Sequence, residues 1–402
     1  MGIGNIATTG MQAAMSNMEV ISNNIANAGT YGFKRSMISF SDLYPSALGV
    51  ASNQIGTGVN VASIYQDFSS GASLPTGQPL DLSINSEGNG FFVLRNPSTG
   101  QTAYSRNGHF ALSAQGGYIL SGNQRLQGFL AVNGQIPSGS TVSDLIIGSN
   151  TVPATASTTA NTQVNLNSNS QVPTVTPFDP SNTATFNYES TVNIFDSLGN
   201  QHAVTSYYVM TSPDNWAVNV YVDGASVGAG TASFSTNGQL LGTTGLSGLS
   251  FSPTTGATSP QTFSVNMNNS TQYGNPNSVV TSTDGNRAGK FQSITIDGDG
   301  NLFTNYDNGQ QVLSGQLAIA TFQSPDGLID IGNMSWVASS NSGAANINPG
   351  NSSENISAGG LEISNVDLTT EMVNLIGAQH TFQANAQVEN TYNEVMQTVI
   401  KL

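Results

Sequence analysis

The sequence predicts a mainly β chain with a long α-helix at each end, arranged as a nested, multi-domain molecule. A helical coiled-coil domain is drawn from both termini, and two β-rich domains lie between. Three observations predict it. Both ends carry heptad-spaced apolar residues and no proline, the middle alternates polar and apolar residues in short runs, and those runs are punctuated by Gly, Asn and Pro turns.

The N-terminal helix is read from Gly4, Ala7, Met11, Ala14, Met18, Ile21, Ile25 and Ala28, at intervals alternating three and four. It is expected to stop near Ala28, with Gly29 as its C-cap and Gly32 close behind. Residues 30–70 read as irregular chain or short strands. Strands then follow around Asp81-Leu82-Ser83-Ile84, Gly90-Phe91-Phe92-Val93-Leu94, Ala103-Tyr104-Ser105-Arg106, His109-Phe110-Ala111-Leu112 and Gly117-Tyr118-Ile119-Leu120. Residues 148–172 are Thr, Ala, Ser and Asn with little apolar content, an exposed connection.

Alternation resumes at Ser190–Phe195, Gln201–Met210 and Trp216–Val222, and through about 283 the chain reads as a separate all-β domain, either one sandwich or two pieces. Strands at Ser293–Ile296, Asn301–Phe303 and Leu317–Phe322 come next, and 337–360 reads as a linker. Ser364-Asn365-Val366-Asp367 then resembles a capping sequence before a helix over 365–401. That helix has a looser seam through Leu368, Met372, Leu375, Gln379, Phe382 and Ala386, then Tyr392, Val395, Met396, Val399 and Ile400. At ~1.5 Å per residue the two helices would span about 37 and about 55 Å.

The expected division is therefore 1–29 with 364–402 as the terminal helical domain and 30–70 with 358–363 as a linker region. Residues 71–144 with 284–357 form a middle β domain, and 145–283 an inserted outer β domain.

Composition excludes several function classes. Eight basic residues stand against twenty-three acidic ones, for a net charge of −15, and none of the eight falls in 127–286 or 291–400. Such a chain is a poor partner for nucleic acid. Cysteine is absent, which removes disulfides, thiolate zinc sites and a cysteine nucleophile. No apolar run reaches the ~18 residues of a membrane span. Met1 to Met18 lacks the basic start and apolar core of a cleaved secretory signal, so export is expected to use another route.

No catalytic, cofactor or metal constellation stands out. Asp297-Gly298-Asp299-Gly300-Asn301 invites a calcium reading, but an EF-hand needs Gly and Glu where Leu302 and Asn308 stand, and a β-turn explains the same residues. His109, His202 and His380 lack local ligand spacing and read as surface or packing residues. Asp367 and Glu371 suit the N-terminal dipole of a helix. The two seams, with gaps at Gly4, Gln379 and Asn393, fit assembly between molecules better than a two-helix bundle.

One stretch then becomes decisive. Ser22-Asn23-Asn24-Ile25-Ala26-Asn27-Ala28-Gly29-Thr30-Tyr31-Gly32-Phe33-Lys34-Arg35 closely resembles the Asn-Asn-Ile-Ala-Asn-x-x-Thr-x-Gly-Phe-Lys pattern of the bacterial flagellar rod and hook axial proteins. Leu361–Leu368, Glu371-Met372-Val373, Gln379 and Gln383-Ala384-Asn385-Ala386 resemble the same family's C-terminal helix, and 90–92 and 104–110 fit its inner strands. His380-Thr381 departs from the family's usual Arg before the aromatic residue, here Phe382. The length and the large inserted block point to the hook members rather than the shorter rod members.

The resemblance implies a structural, non-enzymatic subunit. It would polymerise into the curved joint that transmits torque from rod to filament around a central export channel, with terminal helices forming an inner tube of coiled coils. It implies an extracellular place in the flagellum, reached through the flagellar export apparatus. The implied partners are further copies of the chain and the rod, hook-cap and hook–filament junction proteins, with no cofactor and no membrane insertion. A distal rod subunit and an extracellular carbohydrate-binding β protein are the competing readings.

The residues expected at subunit interfaces are Met11, Met18, Ile21, Asn23, Asn24, Ile25, Asn27, Gly32, Phe33 and Lys34, together with Leu368, Met372, Leu375, Gln379, Phe382, Asn385, Ala386, Val395 and Val399. The amides of Asn23, Asn24 and Asn27 are expected to pair with neighbouring subunits or with the 30–70 segment. Lys34 and Arg35 are expected either to meet acids of the C-terminal helix, such as Glu371 or Glu389, or to stay solvated.

Overall fold

The computed structural model of the chain describes residues 3–43, 56–85, 90–114, 116–148, 151–350 and 355–401. Its strands and two terminal helices fall into two compact units. One comprises Met1–Gly148, Ser293–Thr304 and Gln311–Leu402, the other Ser149–Gln292 and Asn305–Gln310.

In the first unit, helix α1 spans Ile3–Ala26 and helix α2 spans Leu368–Lys401. They pack side by side and antiparallel, since Gly4 meets Glu389 and Tyr392 while Gly10 meets Asn385. Both ends differ from expectation. α1 closes two residues early through turn bonds from Asn27, Ala28 and Thr30, and Gly29 has no left-handed conformation; Gly32 does, at φ 70°. The cap of α2 is Asp367, not Ser364. Its carboxylate accepts from the Thr369 and Thr370 amides at 2.8 and 3.0 Å, whereas the hydroxyl of Ser364, four residues before the helix, accepts from the Val366 amide.

The seam of α1 is as expected: Ala7, Ala14 and Ile21 are buried, and Met11, Met18 and Ile25 are half-buried. The seam of α2 is so only in part. The covered positions are Glu371, Leu375, Ala378, Phe382, Asn385, Ala386, Glu389 and Tyr392, four of them (Leu375, Phe382, Ala386 and Tyr392) on the expected seam, while Leu368, Met372 and Gln379 are exposed. The physical reason is size. A Cβ on Gly10 would lie 2.8 Å from the Asn385 amide, so small residues on α1 admit the larger polar stripe of α2.

Residues 30–70 hold more regular structure than expected, namely an antiparallel hairpin of β1, Ser36–Leu43, and β2, Gly58–Gln66, with a bulge at Ser39/Phe40. The hairpin lies on α1: Thr9 Oγ1 accepts from the Val59 amide at 3.5 Å, and a Cβ on Gly58 would strike Thr9. The unit's main sheet then runs, neighbour by neighbour, through Gln311–Thr321, Gln124–Leu130, Gly90–Arg95, Thr102–Ser105, Ser335–Val337 and Ile329–Gly332, all antiparallel. Early and late segments also pair in two short ladders, Leu82–Asn85 with Asn355–Ala358 and Ser73–Pro75 with Gly360–Glu362. Phe68, directly after the hairpin, packs edge-on against Phe91 and Trp336, each at 5.4 Å between ring centroids, and so fixes the hairpin's base to the sheet's core.

The second unit is a sandwich. A five-stranded meander, Tyr188–Phe195 to Leu240–Thr244, shares one core with a four-stranded sheet ordered Leu249–Phe251, Gln261–Asn266, Thr159–Asn165, Ser278–Thr283. That resolves the open choice between one sandwich and two pieces. Trp216, Tyr208, Val204 and Leu166 are fully buried in it, and the Trp216 indole donates to Gln272 Oε1 at 3.1 Å.

The acidic loop at 297–301 is a turn: Asp297 Oδ1 accepts from the Asp299 and Asn301 amides, and Oδ2 from the Asn301 side chain. Asp196–Asn200 repeats the pattern in the second unit, and in both loops the fourth residue, Gly199 or Gly300, has positive φ. Buried His202 pairs with Asp223 and Asp196, and surface-exposed His109 with Asp81.

Candidate subunit interface

The segment from Ser22 to Arg35, which carries the resemblance, leads from α1 to the hairpin and is held by two amides acting from opposite ends of the chain. Asn24, on the last turns of α1, donates to the Ser36 carbonyl at 2.9 Å and accepts from the Ser36 amide at 2.8 Å. Asn365, just before α2, accepts from the Arg35 amide at 2.8 Å and donates to the Asp67 carbonyl at 2.8 Å. Adjacent residues of β1 and its approach are thus gripped by both terminal segments. A buried side-chain amide is stable where its donor and acceptor are both used, as they are here. Asn24 therefore pairs with the 30–70 segment, one of the two expected outcomes. Asn27 accepts from the Thr30 hydroxyl at 3.2 Å, also in that segment, and donates back to Asn23 to finish the helix.

Behind this grip lies a buried ionic centre that the sequence reading missed. Glu362 accepts from Lys34 Nζ at 2.6 Å, from Arg106 at 3.3 Å and from the Gly71 amide at 2.8 Å. Lys34 also donates to the Ser69 carbonyl at 2.7 Å, and Arg106 stands over the Phe91 ring at 5.1 Å. All three charged side chains are at most 3% exposed. Burial pulls the Lys34 ammonium down to about 8, against the opposing pull of Glu362.

Gly32 completes the centre. Its amide donates to the Glu362 carbonyl at 2.8 Å, and a Cβ there would lie 2.6 Å from the Arg106–Asn107 backbone. Lys34 therefore meets neither Glu371 nor Glu389, and Arg35 pairs with Asp67 at 2.8 Å. The available signal was scarcity: Arg106 is one of eight basic residues, and both it and Glu362 lie in stretches that resemble the family.

Of the residues expected at an interface, Ile21, Asn24, Gly32 and Lys34 are buried within the chain. They build the subunit instead of presenting a surface. Met11, Met18, Ile25, Asn27, Phe33, Leu375, Phe382, Asn385 and Ala386 are half-buried, and Leu375, Phe382 and Asn385 lie on the stripe that meets α1. Asn23, Leu368, Met372, Gln379, Val395 and Val399 are exposed. Exposed apolar side chains are unusually dense on α2, where Val373 is 64% and Ile376 53% exposed, beside Met372 at 56% and Val399 at 60%.

The flagellar hook protein of Escherichia coli K12 is 37% identical to this chain over 406 residues, covering 98% of each. The chain belongs to the flagellar hook protein family. The hook protein of Treponema pallidum is 30% identical with 98% of each covered, and that of Brucella melitensis 28% with 100% of this chain and 98% of its own. Four family descriptions match in turn: flagella basal body rod protein at 5–34, flagellar hook protein FlgE/F/G D1 domain at 86–169, flagellar basal body protein FlaE D2 domain at 165–286, and flagellar basal body rod FlgEFG protein C-terminal at 357–402. Among solved structures, the Helicobacter pylori flagellar hook protein FlgE2 superposes with TM-score 0.50 at 13% identity, over 70% of this chain and 98% of its own, a likeness of fold. Hook-family relatives thus match from end to end, including the large second unit, which favours neither a rod subunit nor a carbohydrate-binding protein.

Proposed function

We infer that the chain is a structural subunit of the bacterial flagellar hook. The observation that carries this reading is the end-to-end match to hook proteins, 98% of each chain at 37% identity. The unsatisfied apolar surface of α2 supports it from physics. An amphipathic helix leaves such a face open only where another molecule covers it.

On this reading the terminal helices of many copies pack as a coiled-coil inner tube around an export channel. The paired β segments form a middle shell and the inserted sandwich an outer one, giving a nested division close to 1–29/364–402, 71–144/284–357 and 145–283. The subunit leaves the cell through the flagellar export apparatus and assembles beneath a cap, between rod and filament, at the cell exterior. The absence of cysteine suits export in an extended state, because no thiol can cross-link on the way. Electron microscopy of the purified, polymerised chain tests the assignment. Curved tubes are the expected result, straight tubes would favour a rod subunit, and no polymer at all would overturn it.

A further inference from the structure

Three features of the first unit converge on one contact. The first is a groove of about 1160 Å³ bounded by α1, the hairpin and α2, where Ile6, Val20, Phe40 and Val59 share the lining with polar residues such as Asn17, Asn374 and Arg35, the last already paired with Asp67. The second is Glu371 in that lining. It is 6% exposed, yet its carboxylate has neither a hydrogen-bond nor an ion-pair partner among the described residues. Its place in the first turn of α2 earns some helix-dipole stabilisation, and a cation entering the groove would add a charge pair to it.

The third feature is the far end of α2. α1 begins opposite Tyr392, and every residue from Asn393 to Lys401 is exposed, including Val395, Met396, Val399 and Ile400 at 41–78%. Lys401 closes that segment and is the only Lys or Arg on either helix. The other basic side chains have acidic neighbours: Lys34 and Arg106 share Glu362, Arg35 has Asp67, Arg95 and Arg125 share Asp144, and Arg287 and Lys290 attend Asp307. Among the described residues Lys401 has none.

We propose that the last turns of α2 of one copy seat in the groove of a second copy, with Lys401 supplying the cation that Glu371 lacks. The inference rests on the reading of the chain as a polymer-forming subunit and names the contact that joins successive copies. The complementarity is of two kinds. Val395, Val399 and Ile400 bring apolar surface to Ile6, Val20, Phe40 and Val59, and the one Lys or Arg of the helices meets the acid that lines the groove. Within one chain the two partners cannot meet, because thirty residues of a single straight helix hold them ~45 Å apart. Tail and groove are different surfaces, so the contact is head-to-tail, the class that propagates as an open helix wherever its rotation does not close on itself.

The lack of native cysteine makes the test clean. The chain carrying both Glu371→Cys and Lys401→Cys is polymerised and oxidised. Any disulfide between these positions must join two copies, since Cα atoms more than ~7 Å apart cannot be bridged. The expected result is a ladder of covalent oligomers from oxidised tubes, absent from each single-cysteine variant beyond the dimer. Tubes that form normally but give no ladder would overturn the contact while leaving the hook assignment intact. Failure of the unsubstituted chain to form tubes would overturn both.

A charge pair gives an independent reading. K401E is expected to raise the concentration needed for polymerisation about tenfold, the size of a ~1.4 kcal/mol loss, and E371K together with K401E to restore it. An unchanged threshold in K401E, or no recovery in the double variant with its helicity intact, would count against the pair.

Discussion

The second unit and the terminal helices solve opposite problems with the same residue alphabet. The sandwich buries both inner faces on one core, with Trp216, Tyr208, Val218 and Val220 fully enclosed. α2 buries only Glu371 and Ala378 along thirty-four residues and leaves Met372, Val373, Ile376 and Val399 in solvent. One region closes its own apolar faces, whereas the other leaves apolar side chains open to solvent. Between those extremes, the Glu362 centre anchors the approach to both helices on the β-sheet of the first unit. The contrast can be broken or sharpened by substitutions that touch one region and are read out in the other.

Glu362→Ala should have the largest effect. It leaves Lys34 and Arg106 buried without their shared carboxylate, a loss of about 5 kcal/mol. Chemical denaturation should show the first unit destabilised by that amount and the melting of the second unchanged. Equal destabilisation of both would mean that the centre does not belong to the first unit alone. Trp216→Ala is the mirror experiment. Removing a fully buried indole and orphaning Gln272 should cost the sandwich about 4 kcal/mol and leave polymerisation intact at temperatures where the sandwich still folds.

Alkali should separate the two regions by sign. Folding pulls Lys34 from 10.5 down to about 8, so between those values the unfolded chain holds a proton that the folded chain has released. The contribution of Lys34 to stability is therefore present above pH 10.5 and lost as pH falls through 8, a difference on the order of 3 kcal/mol. Tyr208 in the sandwich is pushed up to about 12 by burial, so its contribution is present below pH 10 and lost as pH rises toward 12. Thermal unfolding followed from pH 8 to 10 should show the first unit gaining stability, a gain that Lys34→Met abolishes. A flat profile in the unsubstituted chain would show that Lys34 keeps an ordinary affinity for its proton.

The sequence made these regions legible to different depths. Alternation at 190–222 is unmistakable because buried and outward residues strictly alternate there, with most inward ones apolar, so strands and core emerge together. The α1 seam was equally readable, because only one of its faces is apolar. On α2 the seam was partly misplaced because apolar residues occupy more than one stripe, and a second stripe serves a surface that a single chain does not cover. The ionic centre was unreadable from pattern alone: Lys34 and Glu362 lie 328 positions apart, and nothing local at either site marks a pairing. Gly32 was expected at a subunit interface, but what requires a glycine there, the approach of the Arg106 backbone, is tertiary and within the chain.

Asn24→Ala tests the grip between the two regimes and should cost less than the preceding changes. It removes two hydrogen bonds and leaves the Ser36 amide and carbonyl without their partner, a loss of about 1–3 kcal/mol. Because Asn365 still holds the neighbouring Arg35 amide, this end of the hairpin should stay attached there and pivot about that point. The expected phenotype is therefore specific: polymerisation weakened, the second unit's melting unmoved, and amide hydrogen exchange accelerated at Ser36 but not at Arg35. If Arg35 exchanged as fast as Ser36, the two amides would act as one cooperative clasp, and the N- and C-terminal segments could not release the hairpin separately. Normal polymerisation by Asn24→Ala would show that the grip serves only the free subunit.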